Sequence, residues 1–273
     1  MYFKMLKNTR CGNHGVSRNT EKDNWDRYGI DEYRINCDTS IVHATVADGV
    51  SGTPYGGKAA KEGVLACHNS LHNRLLRKYV EMEHIGYSVN IDVSFMEDAI
   101  KKAVLDANSH IWGESGENGE IGATTLSSIV ITDTYTVTAN VGDSPIYYYR
   151  RSDDSFRIVN ILQTEADERV MNGEIELYSS EYYNINHRLT HALGATDRLN
   201  PIYVPTCILA PIEVGDIFLL GTDGAFGYLK DDDIHSMIRR FREDNNRNFI
   251  DNLFEAAESE DDQTAILISV EGF

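Results

Sequence analysis

Four short segments place aspartates at the end of a run of apolar residues, and this arrangement constrains the fold more than any other feature of the chain. Asp48, Asp143 and Asp223 end IVHATVADG, TVTANVGDS and IFLLGTDG, each beside a glycine, and Asp261 and Asp262 precede the apolar run in EDDQTAILISV. Turn chemistry explains any one site, because Asp bonds to nearby backbone and Gly tolerates positive φ. Four such sites in one chain need a joint explanation.

Hydrophobic patterning predicts which segments surround these aspartates. The β-branched run over 41–47 predicts a strand, and apolar residues near helical spacing predict helices over 57–79 and 92–112. Four further strands are predicted in LSSIVITD, YTVTANV, PIYYYR and FRIVNI. The turns between them are short enough for hairpins, which favours antiparallel pairing.

The second half of the sequence completes an α+β pattern. Within residues 163–200 we expect a helix in QTEADERVMNGEIE, followed by a polar, Tyr-rich stretch, and we call this segment the flap. Helices are predicted over 231–243 and 246–258, between the strands in DIFLLGTDG and TAILISV. If the last strand returns beside earlier ones, the aspartate-bearing ends meet at one edge of a sandwich.

Composition limits the function classes. The 273 residues, 41% of them hydrophobic, form a soluble globular chain, which we expect to be one domain over 1–273. A net charge of −18 argues against nucleic-acid and anionic-membrane partners, whose phosphates it would repel. The four cysteines are scattered without metal-ligand spacing, and the sequence has neither a signal core nor a membrane-length apolar run. We therefore expect a cytoplasmic protein.

Carboxylates at one edge would repel one another, and burying them costs several kcal/mol each. Divalent cations between them remove that cost, and oxygen ligands favour magnesium, manganese or calcium over zinc. Two such ions are a common device for phosphoryl transfer, since they activate water and neutralise phosphate charge. The aspartates therefore predict a hydrolase of phosphoesters.

Seven motifs in order resemble the metal-dependent Ser/Thr protein phosphatases of type 2C, in particular the bacterial branch of this family. They are GVSRNTEKDN, VADGVSGTPYGGKAA, GATTLSSIVI, ANVGDSPIYYYR, LTHALGA, DIFLLGTDGAFGYLKDDDI and DDQTAILI. The resemblance implies a four-layer αββα sandwich, in which helix pairs flank two antiparallel β-sheets. It also implies two core Mn²⁺ or Mg²⁺ ions, with a third, weaker ion in bacterial members.

The resemblance further implies a role for each site residue. Asp48 would bridge the two core metals, and the Gly49 carbonyl would contact one of them. Asp223 and Asp261 would complete the coordination shell of the other core metal. Asp143, together with Asp223, would hold the third ion. Asp23 would hold a metal-bound water, and Arg18 would bind the substrate phosphate through its guanidinium fork. The substrates would be phosphorylated proteins that a Ser/Thr kinase produces, and the enzyme would be a monomer.

Alternatives stay open for three of these residues. Arg18 fits a solvated surface position, Asp143 fits a hairpin cap, and Asp262 competes with Asp261 as the ligand before Thr264. Thr124 and Thr125 fit plain strand positions, and the sequence assigns them no chemistry.

Departures from the family pattern keep two other functions open. Lys22 places a cation beside the Asp23 motif, and Pro145 replaces an arginine after GDS. The Asp-His pair that usually precedes the flap is also absent. A catalytically inactive phosphatase-like binding module, or a phosphatase of small phosphoesters, are therefore the alternative hypotheses.

Overall fold

The computed structural model describes residues 2–12, 23–34, 40–84, 91–114, 122–244 and 246–272. Its strands are β1 Tyr2–Arg10, β2 Arg27–Arg34, β3 Ser40–Ala47, β4 Leu126–Ile131, β5 Thr136–Val141, β6 Ile146–Arg150, β7 Ser155–Ile158, β8 Thr206–Leu209, β9 Ile217–Gly221 and β10 Gln263–Glu271. Its helices are α1 Gly56–His84, α2 Val93–Gly113, α3 Glu165–Met171, α4 Ser180–Ile185, α5 Asp223–Phe226, α6 Asp231–Asp244 and α7 Phe249–Ala257.

Two antiparallel sheets of five strands each form the centre of the fold. One has the order β1-β10-β9-β6-β7, and the other has the order β2-β3-β4-β5-β8. Alternating residues of the central strands face opposite sides, as the period of a strand requires. In β3, Val42, Ala44 and Val46 enter the core between the sheets, whereas Ile41 packs under the helices on the outer side.

Helix pairs cover the outer face of each sheet. On the β2–β8 sheet, α1 and α2 contribute buried residues such as Leu71 and Ile100. On the other sheet, α6 and α7 bury Ile238 and Leu253 against strands β6 and β9. The α+β, four-layer αββα sandwich predicted from the sequence is therefore confirmed.

The sequence prediction missed three strands, and all three lie at the edge of a sheet. Within the part of the chain that the structure describes, β1, β2 and β8 each pair with a single neighbouring strand. Their sequences are polar or short, as in RYGIDEYR of β2, because edge strands in proteins carry charges that oppose further pairing. The predicted strand FRIVNI is shorter than expected, since β7 ends at Ile158.

The flap contains two short helices, α3 and α4, where the sequence suggested one helix and a polar stretch. Thr164 and Ser179 cap them, each accepting a hydrogen bond from a backbone amide three residues ahead.

Within the described ranges, no helix combines the length and apolar character that crossing a membrane requires.

Candidate metal centre

The aspartates at the strand ends come from both sheets. Asp48 follows β3 and Asp143 follows β5 in one sheet, whereas Asp223 follows β9 and Asp261 precedes β10 in the other. The antiparallel registers place these ends together, because Ala265 of β10 pairs with Gly221 at the end of β9. The site is thus built where two packed sheets meet at one edge.

Mutual repulsion among the carboxyls indicates how closely they gather. The pKa of Asp48 is raised well above its ordinary value, first because its carboxyl is buried and then because carboxylates lie nearby, namely those of Asp223, Asp26, Asp143 and Asp261. Burial also raises the pKa of Asp143, and Asp223 and Asp261 add to this effect. Coulomb energy falls with distance, so these mutual effects indicate that four of the predicted metal-ligand aspartates lie close together in the structure.

Asp26 is a site residue that the sequence prediction missed. Its side chain is 3% exposed, and its pKa is raised to about 8, chiefly by burial and further by Asp223, Asp262 and Asp261. One carboxylate oxygen, Oδ2, accepts a hydrogen bond of 2.8 Å from Thr222 Oγ1. Among the described residues its Oδ1 has no hydrogen-bond partner, although it is buried.

Two predicted site residues, Asp23 and Arg18, lie near the beginning of the chain. Asp23 is exposed, three residues before the buried Asp26. Arg18 lies outside the described residues, as does Lys22, so their roles stay predictions. Asp26 directly precedes β2 and helps to raise the pKa of Asp48, whereas the water-holding role of Asp23 stays a prediction.

The choice between Asp261 and Asp262 has a structural argument. Asp262 Oδ1 accepts a hydrogen bond from the Gly12 amide, and its Oδ2 accepts one from the Trp25 amide, both at 2.7 Å. A carboxylate occupied in this way anchors the segments around β1 and β2. Asp261 is exposed at the same edge, its Oδ1 accepts a hydrogen bond of 2.8 Å from the Asp262 amide, and its charge acts on both Asp48 and Asp143, which supports the prediction that it is the ligand.

Backbone contacts fix the position of Asp48. Its amide donates to Thr125 Oγ1 at 3.0 Å, and its carbonyl accepts from Thr124 Oγ1 at 2.7 Å and from the Thr125 amide at 2.8 Å. Thr125 Oγ1 also shares a hydrogen bond of 2.8 Å with Ser144 Oγ, next to Asp143. Both threonines therefore position the site, a role that the sequence did not assign to them.

Gly49 allows a close approach of the backbone at this turn. A Cβ at this position would lie 2.5 Å from the carbonyl carbon of Gly56, at the start of α1. Any side chain at residue 49 would push α1 away from β3. The turn that carries Asp48 is therefore tightly fixed.

The flap contributes one further carboxylate. Asp167 on α3 raises the pKa of Asp143, after the larger effects of burial and of Asp223. Its own oxygens accept hydrogen bonds from Thr164 Oγ1 at 2.6 Å and from Tyr182 Oη at 3.2 Å. The flap thus reaches the edge where the aspartates gather.

These residues fit a hard divalent cation. Every candidate ligand is a carboxylate or carbonyl oxygen, which suits Mg²⁺ and Mn²⁺ rather than zinc. The raised pKa values and the unpartnered Asp26 Oδ1 both describe negative groups that lack a compensating charge within the described protein atoms. A bound cation would supply that charge.

A second cluster, of Asp31, His43 and His68, does not fit a metal ion in its present arrangement. Its potential ligand atoms lie within 4.8 Å of one another. However, the two imidazole rings are stacked, with centroids 4.0 Å apart and planes 27° apart. Lone pairs lie in the ring planes, so they do not converge at the ~2 Å that a metal–nitrogen bond requires. This cluster lies under α1 and is separate from the aspartate edge.

Comparison with known proteins agrees with this site. The family profile described as "Protein phosphatase 2C" matches residues 18–266. The chain therefore belongs to the protein phosphatase 2C family, and it is a protein phosphatase, a hydrolase whose family uses Mn²⁺ or Mg²⁺. A search of curated protein sequences found no match.

Solved structures with the same fold come from bacterial Ser/Thr phosphatases. The serine/threonine phosphatase Stp1 of Staphylococcus aureus has a TM-score of 0.76 at 22% identity, with 100% of this chain and 96% of Stp1 covered. PstP/Ppp of Mycobacterium tuberculosis has a TM-score of 0.70 at 16% identity, with 99% of each chain covered. A PstP catalytic domain in complex with two manganese ions has a TM-score of 0.64 at 17% identity, with 99% of each chain covered.

Proposed function

We propose that this chain hydrolyses phosphoserine and phosphothreonine in proteins, using water activated at a metal centre on the aspartate edge. The observation that carries the proposal is the gathering of carboxylates from both sheets around Asp48. Burial and four neighbouring carboxylates raise the pKa of Asp48. A protein keeps such a repulsive arrangement when a bound cation compensates it.

Five residues would hold the metal ions. Asp48 and the Gly49 carbonyl would bind the core ions with Asp223 and Asp261, and Asp143 would share Asp223 in a third site. When bound, Mn²⁺ or Mg²⁺ supplies positive charge that lowers the pKa of a water molecule and offsets charge on the phosphoryl group.

Other residues of the chain bind and orient. Arg18 would hold two phosphoryl oxygens through its guanidinium group, a geometry that lysine cannot reproduce. Asp26, once ionised, would accept a hydrogen bond from water at its unpartnered Oδ1. Thr125 would keep the Asp48 backbone in place while charge moves at the site.

Phosphorylated proteins are the partners that membership of this family implies, and a Ser/Thr kinase would produce them. A monomeric state, a cytoplasmic location and the absence of nucleic-acid and membrane partners stay predictions from the sequence.

The test is the hydrolysis of a phosphothreonine peptide with Mn²⁺, with excess chelator, and by the variant Asp223→Asn. We expect activity that requires Mn²⁺ and falls at least a hundredfold in the variant. Asp98→Asn is the matched control, because Asp98 is exposed on α2 and pairs only with Lys102 among the ion pairs of the described residues. Equal losses in both variants would contradict the proposed ligand role.

The same assay separates the alternative functions. Turnover of para-nitrophenyl phosphate but of no phosphopeptide would indicate a phosphatase of small phosphoesters. Binding of phosphopeptide by folded protein without any turnover would indicate the inactive module that Lys22 and Pro145 suggest.

A further inference from the structure

Tyr178, in the flap, has a backbone conformation that bulky residues rarely adopt. In the described ranges three residues other than glycine have a positive φ, and Tyr178, at 61°, is the aromatic one among them. Left-handed backbone brings Cβ close to the following carbonyl and costs free energy. Such strain persists only where other contacts hold the residue, and it often marks a functional segment.

One carboxylate oxygen provides that hold. Tyr178 Oη donates to Asp231 Oδ1 at 2.9 Å, and Tyr147 Oη donates to the same oxygen at 3.2 Å. Tyr147 belongs to β6 and is 5% exposed, whereas Asp231 begins α6. We call these three residues the clasp, because they join the flap to the sheet and to α6.

Two further contacts join this part of the flap to the α5–α6 region. Lys230 Nζ lies 5.9 Å from the centre of the Tyr178 ring, a position typical of a cation–π contact. The rings of Tyr183 in the flap and Tyr228 beyond α5 meet edge to face, with centroids 6.0 Å apart. The flap is thus attached to the α5–α6 region by charged and aromatic contacts.

From the clasp, contacts run across the flap to the candidate metal centre. The Tyr178 and Tyr182 rings meet edge to face at 6.1 Å, and Tyr182 Oη donates to Asp167 Oδ1. Asp167 in turn acts electrostatically on Asp143. The clasp is therefore connected through Tyr182 on α4 and Asp167 on α3 to the aspartates.

We propose that Tyr178 and Asp231 are positioning residues, which hold the flap in the orientation that forms one wall of the site for phosphoprotein substrates. The inference rests on the proposed phosphatase function. A phosphopeptide extends beyond its phosphate and contacts the flap, whereas a small phosphoester occupies only the metal centre. The clasp should therefore affect the KM for peptides and leave small substrates nearly unchanged.

The first measurement does not depend on activity. Glu174 and Glu176 are exposed between α3 and α4, so a glutamate-specific protease reports on flap opening, with cleavage sites identified by mass spectrometry. Tyr178→Phe removes the hydroxyl but keeps the ring. We expect cleavage after these residues to accelerate about tenfold, the factor that losing one hydrogen bond to a charged group produces.

The matched control is Tyr183→Phe, which removes a hydroxyl from a neighbouring flap tyrosine outside the clasp. Asp231→Asn weakens the clasp from its other side, so its effect on cleavage should not add to that of Tyr178→Phe. Equal cleavage rates for Tyr178→Phe and Tyr183→Phe, or full additivity in the double variant, would overturn the clasp.

The second measurement is kinetic. For Tyr178→Phe we expect the KM for a phosphothreonine peptide to rise about fivefold, kcat to stay within about twofold, and para-nitrophenyl phosphate turnover to be unchanged. Equal losses for both substrates, or an unchanged peptide KM, would refute the positioning role. If the wild-type protein hydrolyses neither substrate, the proposed function fails, while the cleavage rates still decide whether the clasp holds the flap.

Discussion

Replacing Asp26 by asparagine should stabilise the metal-free protein. The pKa of Asp26 moves from an ordinary 3.8 to about 8, so between these pH values the folded state binds more protons than the unfolded state. The metal-free protein therefore loses stability as pH rises towards 8. At ~1.4 kcal/mol per pH unit, the buried carboxyl costs about 5 kcal/mol at pH 8.

Asparagine removes this cost but introduces a smaller one. Its carbonyl can still accept the hydrogen bond from Thr222, while its amide replaces the unpartnered Oδ1 and stays unsatisfied, at roughly 1–3 kcal/mol. The net expectation for Asp26→Asn at pH 8, without metal, is a free energy of unfolding about 2–4 kcal/mol higher than that of the wild type.

Manganese should reduce this advantage. At a concentration a hundred times Kd, a ligand that binds only the folded state contributes about 2.7 kcal/mol. Losing a carboxylate that orients the metal shell weakens binding about 10–100-fold, so the variant should gain about 1–2 kcal/mol less from Mn²⁺ than the wild type does.

Urea unfolding with chelator and with Mn²⁺ measures both effects, and Asp98→Asn serves as the exposed-carboxylate control. If Asp26→Asn were less stable than the wild type without metal, the carboxyl would not be under electrostatic strain. An equal Mn²⁺ gain in both proteins would separate Asp26 from the metal centre.

Three further predictions concern other parts of the molecule. Burial, and then His68, lowers the pKa of His43 well below 6.5. Below pH 6.5 the unfolded state therefore binds more protons than the folded state, so the wild-type protein loses stability as the pH falls. Measured by urea unfolding at pH 7 and pH 5.5, its free energy of unfolding should fall by up to about 1.4 kcal/mol per pH unit relative to that of His43→Leu. Thr125→Val leaves the Asp48 amide unpaired and should cost about 1–3 kcal/mol of stability and roughly tenfold in kcat/KM; unchanged values in both assays would remove its positioning role. Asp262→Ala leaves two backbone amides without acceptors and should destabilise the fold by about 2–4 kcal/mol, whereas Asp261→Ala should mainly weaken Mn²⁺ binding in calorimetry; the reverse pattern would exchange their roles.

The sequence predicted the central part of the fold because central strands carry strong signals. Strands β3, β4, β5 and β9 are buried on both faces and read as apolar runs. The edge strands carry no such apolar signal in the sequence. Their pairing with a single neighbouring strand holds them in place, rather than their own composition.

The missed edge strand β2 also hid part of the site. Asp48, Asp143 and Asp223 could be recognised because each ends a visible strand. Asp26 precedes β2, as Asp261 precedes β10, but RYGIDEYR is polar and does not mark a strand. The buried position of Asp26 depends on Thr222, 196 residues away in sequence, and such a contact leaves no local pattern.

The contacts of the flap were equally invisible. The sequence showed many tyrosines but not that Tyr178 and Tyr147 share one oxygen of Asp231. Short polar stretches without periodicity take their conformation from tertiary contacts.

The position of β10 has a consequence for how the protein is made. This strand lies between β1 and β9, and it joins segments from opposite ends of the domain. On the ribosome, β1 must wait without its partner until all the other strands have emerged, and Asp261 emerges just ahead of β10. Neither the complete sheet nor the full set of candidate ligands can form before β10 has emerged, so we expect no phosphatase activity from a nascent chain that still lacks β10. Such distant pairing also makes folding slow, because a long loop must close before β1 and β10 meet.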